Sequence, residues 1–190
     1  MKILFVLIQL IPLLSFSQLS FDVVEEVINS GAKYNQGKYL SLNNVIIINS
    51  KGSSNELFNN TVNWINETYQ SPDDVILSTI EGKYLRFNGV SEKMYSVSNE
   101  LFYDGKYNIE IRFKDNMLRF EILDFKYRGV VSSSGIKGWR ETDSKWRVEN
   151  LKGKLLEKDY FDFQYYRGSF NSIVNSLNDY LNNDNTKYDW

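Results

Sequence analysis

The chain has 190 residues, 22 of them basic and 24 acidic, and contains neither cysteine nor histidine. Without those two residue types no disulfide braces the fold, no cysteine nucleophile or Ser-His-Asp triad forms, and zinc, copper, haem and iron–sulfur centres lose their usual ligands; oxygen-ligated calcium or magnesium is what remains. The slightly acidic balance offers no positive excess to a phosphate backbone, so nucleic acid is not an expected partner.

The first residues, MKILFVLIQLIPLLSFSQ, combine Lys2, an apolar run from Ile3 to Leu14, and Ser15 and Ser17 at the two positions a signal peptidase inspects. The run is shorter than the ~20 residues a membrane-spanning helix needs. An export leader cleaved after Ser17 is therefore expected, with no cysteine to acylate and no transmembrane segment in the mature chain. Removing Lys2 with the leader leaves 21 basic against 24 acidic residues. Residues 18–44 read as an N-terminal extension of mixed pattern. Val45 to Ile48 is a β-branched run that suits a buried strand.

A helix is expected next, because Ser53 and Glu56 stand in capping-box spacing and Phe58, Val62, Ile65 and Tyr69 recur at helical intervals, with Leu57, Thr61 and Trp64 widening the stripe. Pro72 is expected to close it. Strand-like pieces follow at Val75–Leu77, Lys83–Phe87 and Lys93–Val97, punctuated by Gly82 and Gly89, and Asp104-Gly105 reads as the next corner. Residues 108–125, NIEIRFKDNMLRFEILDF, then alternate almost without a slip. A two-residue turn at Asp115-Asn116 sets Lys114 against Met117, and hence Phe113 against Leu118, Ile111 against Phe120 and Ile109 against Ile122, all six apolar groups on one face. Glu110, Arg112, Arg119 and Glu121 fall on the other, expected to be wet. Near the end, Phe170, Ile173, Val174, Leu177 and Leu181 predict a second amphipathic helix capped by Ser169, and residues 184–190 a flexible tail.

One oily sheet face and two oily helix stripes fit together as a two-layer α+β sandwich, an antiparallel sheet with both helices packed on one face, in the order β-α-β-β-β-β-α. Two stretches, NELFNNTVNWINETYQSPDDVI and GKYNIEIRFKDNMLRFEILDF with its Asp124-Phe125 pair, resemble the exported bacterial family called domain of unknown function 4468. The resemblance runs from about Val45 to Lys126. It implies a TATA-binding-protein-like (TBP-like) fold over 45–183, from which this chain departs by an insertion at 129–168, and it supplies no catalytic residues and no cofactor.

Four sets of residues are candidates for chemistry. Ser134 and Lys137 match S-x-x-K, but Gly135 inside the motif and the missing partner motifs argue against an activated serine. Asp73-Asp74 beside Pro72 reads as turn chemistry. Asp159 and Asp162 lie among Tyr160, Phe161, Phe163, Tyr165 and Tyr166, where aromatic walls could raise a carboxyl pKa; alternation makes the same stretch a strand packed on one side. Trp139-Arg140 and Trp146-Arg147 repeat a step suited to stacking and hydrogen bonding, either as a binding surface or as a lid over the core. Asn59 and Asn66 head glycosylation sequons inside the first helix and are set aside. With no nucleophile, metal or phosphate motif, the expectation is a non-enzymatic envelope protein that needs no cofactor. It would bind a peptide, glycan or protein through a sheet face, edge or the insertion. A hydrolase using Asp159 and Asp162 is the alternative, which requires two carboxylates facing across an open cleft.

Overall fold

The computed structural model describes residues 18–32, 35–97, 101–130, 137–142 and 145–182; the expected leader and tail, and most of the Ser134–Lys137 motif, lie outside them. The elements are β1 (Val23–Ile28), β2 (Gly37–Leu42), β3 (Val45–Asn49), α1 (Ser54–Thr68), α2 (Pro72–Val75), β4 (Ile76–Ile80), β5 (Tyr84–Ser96), β6 (Phe102–Lys114), β7 (Met117–Val130), β8 (Lys137–Glu141), β9 (Trp146–Asn150) and α3 (Glu157–Asn182). The fold is α+β. Six antiparallel strands form one sheet in the order β3-β7-β6-β5-β4, with β8 pairing the far half of β7 on the edge that β3 occupies along its first half. A second sheet, β1-β2-β9, is separate.

The β6–β7 ribbon takes the register its alternation dictates: Lys114 opposes Met117, Phe113 opposes Leu118, Ile111 opposes Phe120 and Ile109 opposes Ile122. All six apolar side chains are buried, four of them completely. Asn116 occupies the left-handed region at φ 63°, which asparagine tolerates better than most residues. The turn does more than reverse the chain. Asp115 Oδ1 accepts the Ser54 amide at 2.8 Å, and the Asn116 amide donates to the Gly52 carbonyl at 2.8 Å. A carboxylate thus meets the positive end of α1, whose capping box, Ser53 with Glu56, is also formed.

Helix α1 buries Leu57, Phe58, Thr61, Trp64 and Ile65 against the sheet and α3. Trp64 is a core residue: its ring packs edge-on to Tyr69 and Phe87, and its Nε1 donates to Ser176 Oγ of α3 at 3.1 Å. The helix ends at Thr68, with Tyr69 as its C-cap three residues before Pro72, which instead opens the short α2. Proline fits the first turn of a helix because its missing N–H would have no partner there.

Two expected punctuation points lie inside long strands. Gly89 is in the middle of β5, opposite Tyr107, and a Cβ there would stand 2.1 Å from the Tyr107 ring; the glycine makes room for an aromatic rather than a bend. Gly105 opposes Ser91 and Tyr127 within β6, where a Cβ would strike Phe125 and Met94, so the Asp104-Gly105 corner is absent and β5 and β6 run on past it.

The stretch from 129 to 168 carries β8, β9 and the first turns of α3. The expected strand at 160–166 is helix. Phe163, Tyr166, Phe170, Val174 and Leu177 line one helical face that continues the stripe seen further on, and seven residues of apparent alternation matched a period of two by coincidence. Ser169 is consequently not a cap; it lies mid-helix, its hydroxyl reaching the carbonyls of Tyr165 and Met94 at 3.1 Å. The second sheet rests on this part of α3, with Trp146 5.5 Å from Phe163 and 4.7 Å from Tyr166 between ring centroids. Residues 18–44 supply β1, β2 and a strap along α3. Asn175 exchanges hydrogen bonds with the Leu19 backbone at 2.8 Å, Asn171 accepts the Phe21 amide at 3.0 Å, and Phe21 is fully buried against Phe120 and Phe170. Among the described residues no helix is long and apolar enough to cross a membrane.

Candidate functional site

Both long helices lie on one face of the large sheet, which leaves the opposite face uncovered among the described residues. What that face displays is set by a bulge. Asn108 opposes Asp124 but Ile109 opposes Ile122, so Leu123 has no partner and the parity of β7 changes there. Before the bulge Leu118, Phe120 and Ile122 point inward; after it Phe125 and Tyr127 do. Asp124, Lys126 and Arg128 are thereby turned outward beside Asn108 and Lys106.

The charges on this face are not simply wet. Glu110 has a side chain only 4% exposed, held by Arg86 Nη2 on Oε2 at 2.8 Å and by Arg112 Nε on Oε1 at 2.7 Å. Burial alone would raise its carboxyl pKa; the hydrogen bonds and charge of the two arginines outweigh that and hold it below the usual range. Arg119 pairs with Glu121 two residues along its own strand. Opposed like charges in the ribbon register are thus relieved by unlike neighbours along and across the strands. Two side-chain atoms here are shielded from solvent and have no hydrogen-bond partner among the described residues: Arg86 Nε and Asn108 Oδ1.

The four Trp-Arg residues do not form one site. Trp139 opposes Arg128 on β8, is 41% exposed, and overhangs a hollow of about 350 Å³ on the outer face, floored by Asn88, Asn108 and Asp124 and flanked by Leu77, Lys106 and Lys126. Arg140, the next residue, falls on the other side of β8, opposite Tyr127. Trp146 belongs to the small sheet, is 8% exposed, and is committed to packing on α3. Arg147 opposes Tyr39 and borders a second hollow of about 390 Å³ with Tyr95, Tyr127, Glu141 and Asp159. A third, of about 690 Å³, lies at the ribbon end of the outer face, where Lys83, Arg112, Lys114 and Arg119 surround Ile47 and Met117.

Asp159 and Asp162 sit one turn apart on α3. Asp162 is buried and accepts the Ser96 hydroxyl at 2.6 Å, while Asp159 is half-buried at the rim of the second hollow. Asp162 therefore does not stand across an open cleft from Asp159. Asp74 lies in α2 and is exposed. Asn88, Asn108 and Leu77, three of the residues around the Trp139 hollow, carried no signal in the sequence, because only strand register brings them to one place.

The architecture is that of an α+β protein whose large antiparallel sheet has one open face. No family model matches the chain, and no curated protein matches it. Among solved structures it is similar to a DUF4468 family protein from Bacteroides ovatus, 16% identical, over 72% of this chain and 81% of that chain with a TM-score of 0.47. It is also similar to a TBP-like protein from Parabacteroides distasonis, 15% identical, over 70% of this chain and 90% of that chain with a TM-score of 0.46. Those two descriptions name the family and the fold that the sequence resemblance implies. Neither description states a ligand.

Proposed function

We propose that the chain is an exported, non-enzymatic binding module that engages a peptide, glycan or protein of the envelope through the uncovered face of its large sheet. The leader-like first 17 residues support export. The observation that carries the binding reading is a half-exposed Trp139 bordering the same hollow as Asn108, whose Oδ1 is withdrawn from solvent and has no donor among the described residues. Native proteins rarely leave such an atom unanswered. Trp139 is the anchor in this reading, Trp146 is part of the core, and Arg140 and Arg147 are not shared with the Trp139 surface.

Two tryptophan variants test this. Trp139→Ala changes a residue with much of its surface already in water and should stay within ~0.5 kcal/mol of wild type in chemical denaturation. Trp146→Ala opens the core and should lose about 3–5 kcal/mol. Mature protein, its N-terminus sequenced to show whether it begins at Gln18, would then be used to capture partners from envelope extract. Wild type should retain a partner that Trp139→Ala loses. Equal capture by both would remove the outer face from consideration.

A further inference from the structure

We infer that the hollow beneath Trp139 is a saccharide subsite taking one neutral pyranose unit of a longer glycan. This rests on the reading of the outer sheet face as the binding face, and adds the chemistry of what it binds. Asn88, Asn108 and Asp124 oppose one another in register on β5, β6 and β7. They make a polar row across three strands spaced ~4.8 Å apart, within reach of the substituents of one six-membered ring. The row is rich in acceptors: the Asp124 carboxylate, half exposed, and the Oδ1 of Asn108, which is shielded and has no donor among the described residues. Hydroxyl groups suit such a row, since each donates one hydrogen bond and accepts others; the exposed Asp124 carboxylate is open to them as it stands, and the shielded Asn108 Oδ1 becomes reachable once its amide rotates toward the hollow. Hydroxyls would serve equally if the Asn108 amide were turned over to present its NH2 group.

Trp139 supplies the second requirement. Its indole, 41% exposed and bordering the same hollow from β8, offers a flat apolar surface to the C–H face of a sugar whose hydroxyls project toward the polar row. Local charge argues for a neutral ring. Lys126 Nζ lies 3.8 Å from Asp124 Oδ2 and 3.3 Å from Glu141 Oε1, and with Lys106 on the other flank these two carboxylates balance the two lysines, so the surroundings carry no net positive charge to favour a phosphate or sulfate. A peptide fits less well. Strand addition uses an unpaired edge, whereas this hollow is on the face of the sheet, and its polar floor of amides and a carboxylate gives no apolar pocket for a side chain. The volume, about 350 Å³, is within the ~300–1,000 Å³ of small-molecule sites.

The test uses the full mature chain against hexasaccharides of glucose, mannose and N-acetylglucosamine, read by saturation-transfer NMR and calorimetry, with circular dichroism as the check on folding. At least one should bind at millimolar sugar or below. Trp139→Ala and Asn108→Ala should each weaken that binding roughly tenfold or more, the share of an aromatic anchor or a buried polar contact, while staying folded. Lys114→Ala, at the other end of the same face, should leave it unchanged. Failure of all three sugars, or equal binding by Trp139→Ala, overturns the inference. Should wild type capture an envelope protein or peptide in a Trp139-dependent way while binding none of the sugars, the outer-face reading stands and the saccharide assignment falls. Trp139-independent capture together with absent sugar binding ends both.

Discussion

Glu110 shows how far a single side chain departs from what alternation assigns to it. Its position on the solvent side of the ribbon says exposed, yet it is 4% exposed because Arg86 from β5 and Arg112 from its own strand close over it. The consequence is a pH dependence of definite sign. The folded-state carboxyl titrates below its unfolded value, so the folded state binds the proton more weakly than the unfolded chain does. The stabilisation is present above the unfolded pKa, ~4.3, and disappears as pH falls through the folded one. In urea titrations from pH 5 downward, wild type should lose stability more steeply than Glu110→Gln, which has no proton to take up there. Parallel curves for the two would mean that the arginines do not favour the charged form. Trp139 and Trp146 differ for a comparable reason. The same dipeptide step is repeated seven residues apart, but one copy lands on the outer face of the large sheet and the other between the small sheet and α3.

At the scale of elements, the ribbon and α1 are one unit, because the turn that joins β6 to β7 also completes the helix start. Asp115 takes the Ser54 amide and Ser53 takes the Glu56 amide, so two acceptors serve the same first turn. Ser53→Ala and Asp115→Ala should each cost about 0.5–2 kcal/mol in denaturation midpoint, the range for a lost N-terminal acceptor. The double variant should cost less than the sum, since a turn already frayed has less left to lose. Strict additivity would place the two contacts in independent structures. Ribbon register and α1 were both legible in the sequence, for the same reason: each rests on contacts within a short span, and the alternation, turn residues and cap agree. Helix α3 was half legible. Its C-terminal stripe was plain, but within residues 160–166 aromatic and polar groups alternate from Phe161 to Tyr165, and a seven-residue window cannot separate a period of two from one of 3.6 when apolar residues are that dense.

Across the whole molecule, α3 is the common support. Its N-terminal half carries the small sheet through Phe163 and Tyr166, and its C-terminal half meets α1 and the large sheet through Phe170, Val174 and Leu177. The strap at residues 19–21 is tied to the same helix through Asn171 and Asn175. Neither sheet keeps its apolar face covered if α3 leaves, so the chain should unfold in one cooperative step. Tryptophan fluorescence and far-ultraviolet circular dichroism of the unaltered chain, followed in the same urea titration, should report one denaturation midpoint. Two midpoints would show that the β1-β2-β9 sheet melts separately. By itself the sequence determined the α+β class, the ribbon and its pairing, the first helix with its cap, and the exclusion of thiol and imidazole chemistry, since all of these follow from local periodicity or from composition. Only the tertiary structure decided that β8 extends the large sheet, that β9 joins strands more than a hundred residues earlier, and that Asn88, Asn108, Asp124 and Trp139 meet. Those facts depend on which strands pair across long stretches of chain and on a one-residue bulge, and no local pattern encodes the choice among near-equal pairings that burial of the shared core makes.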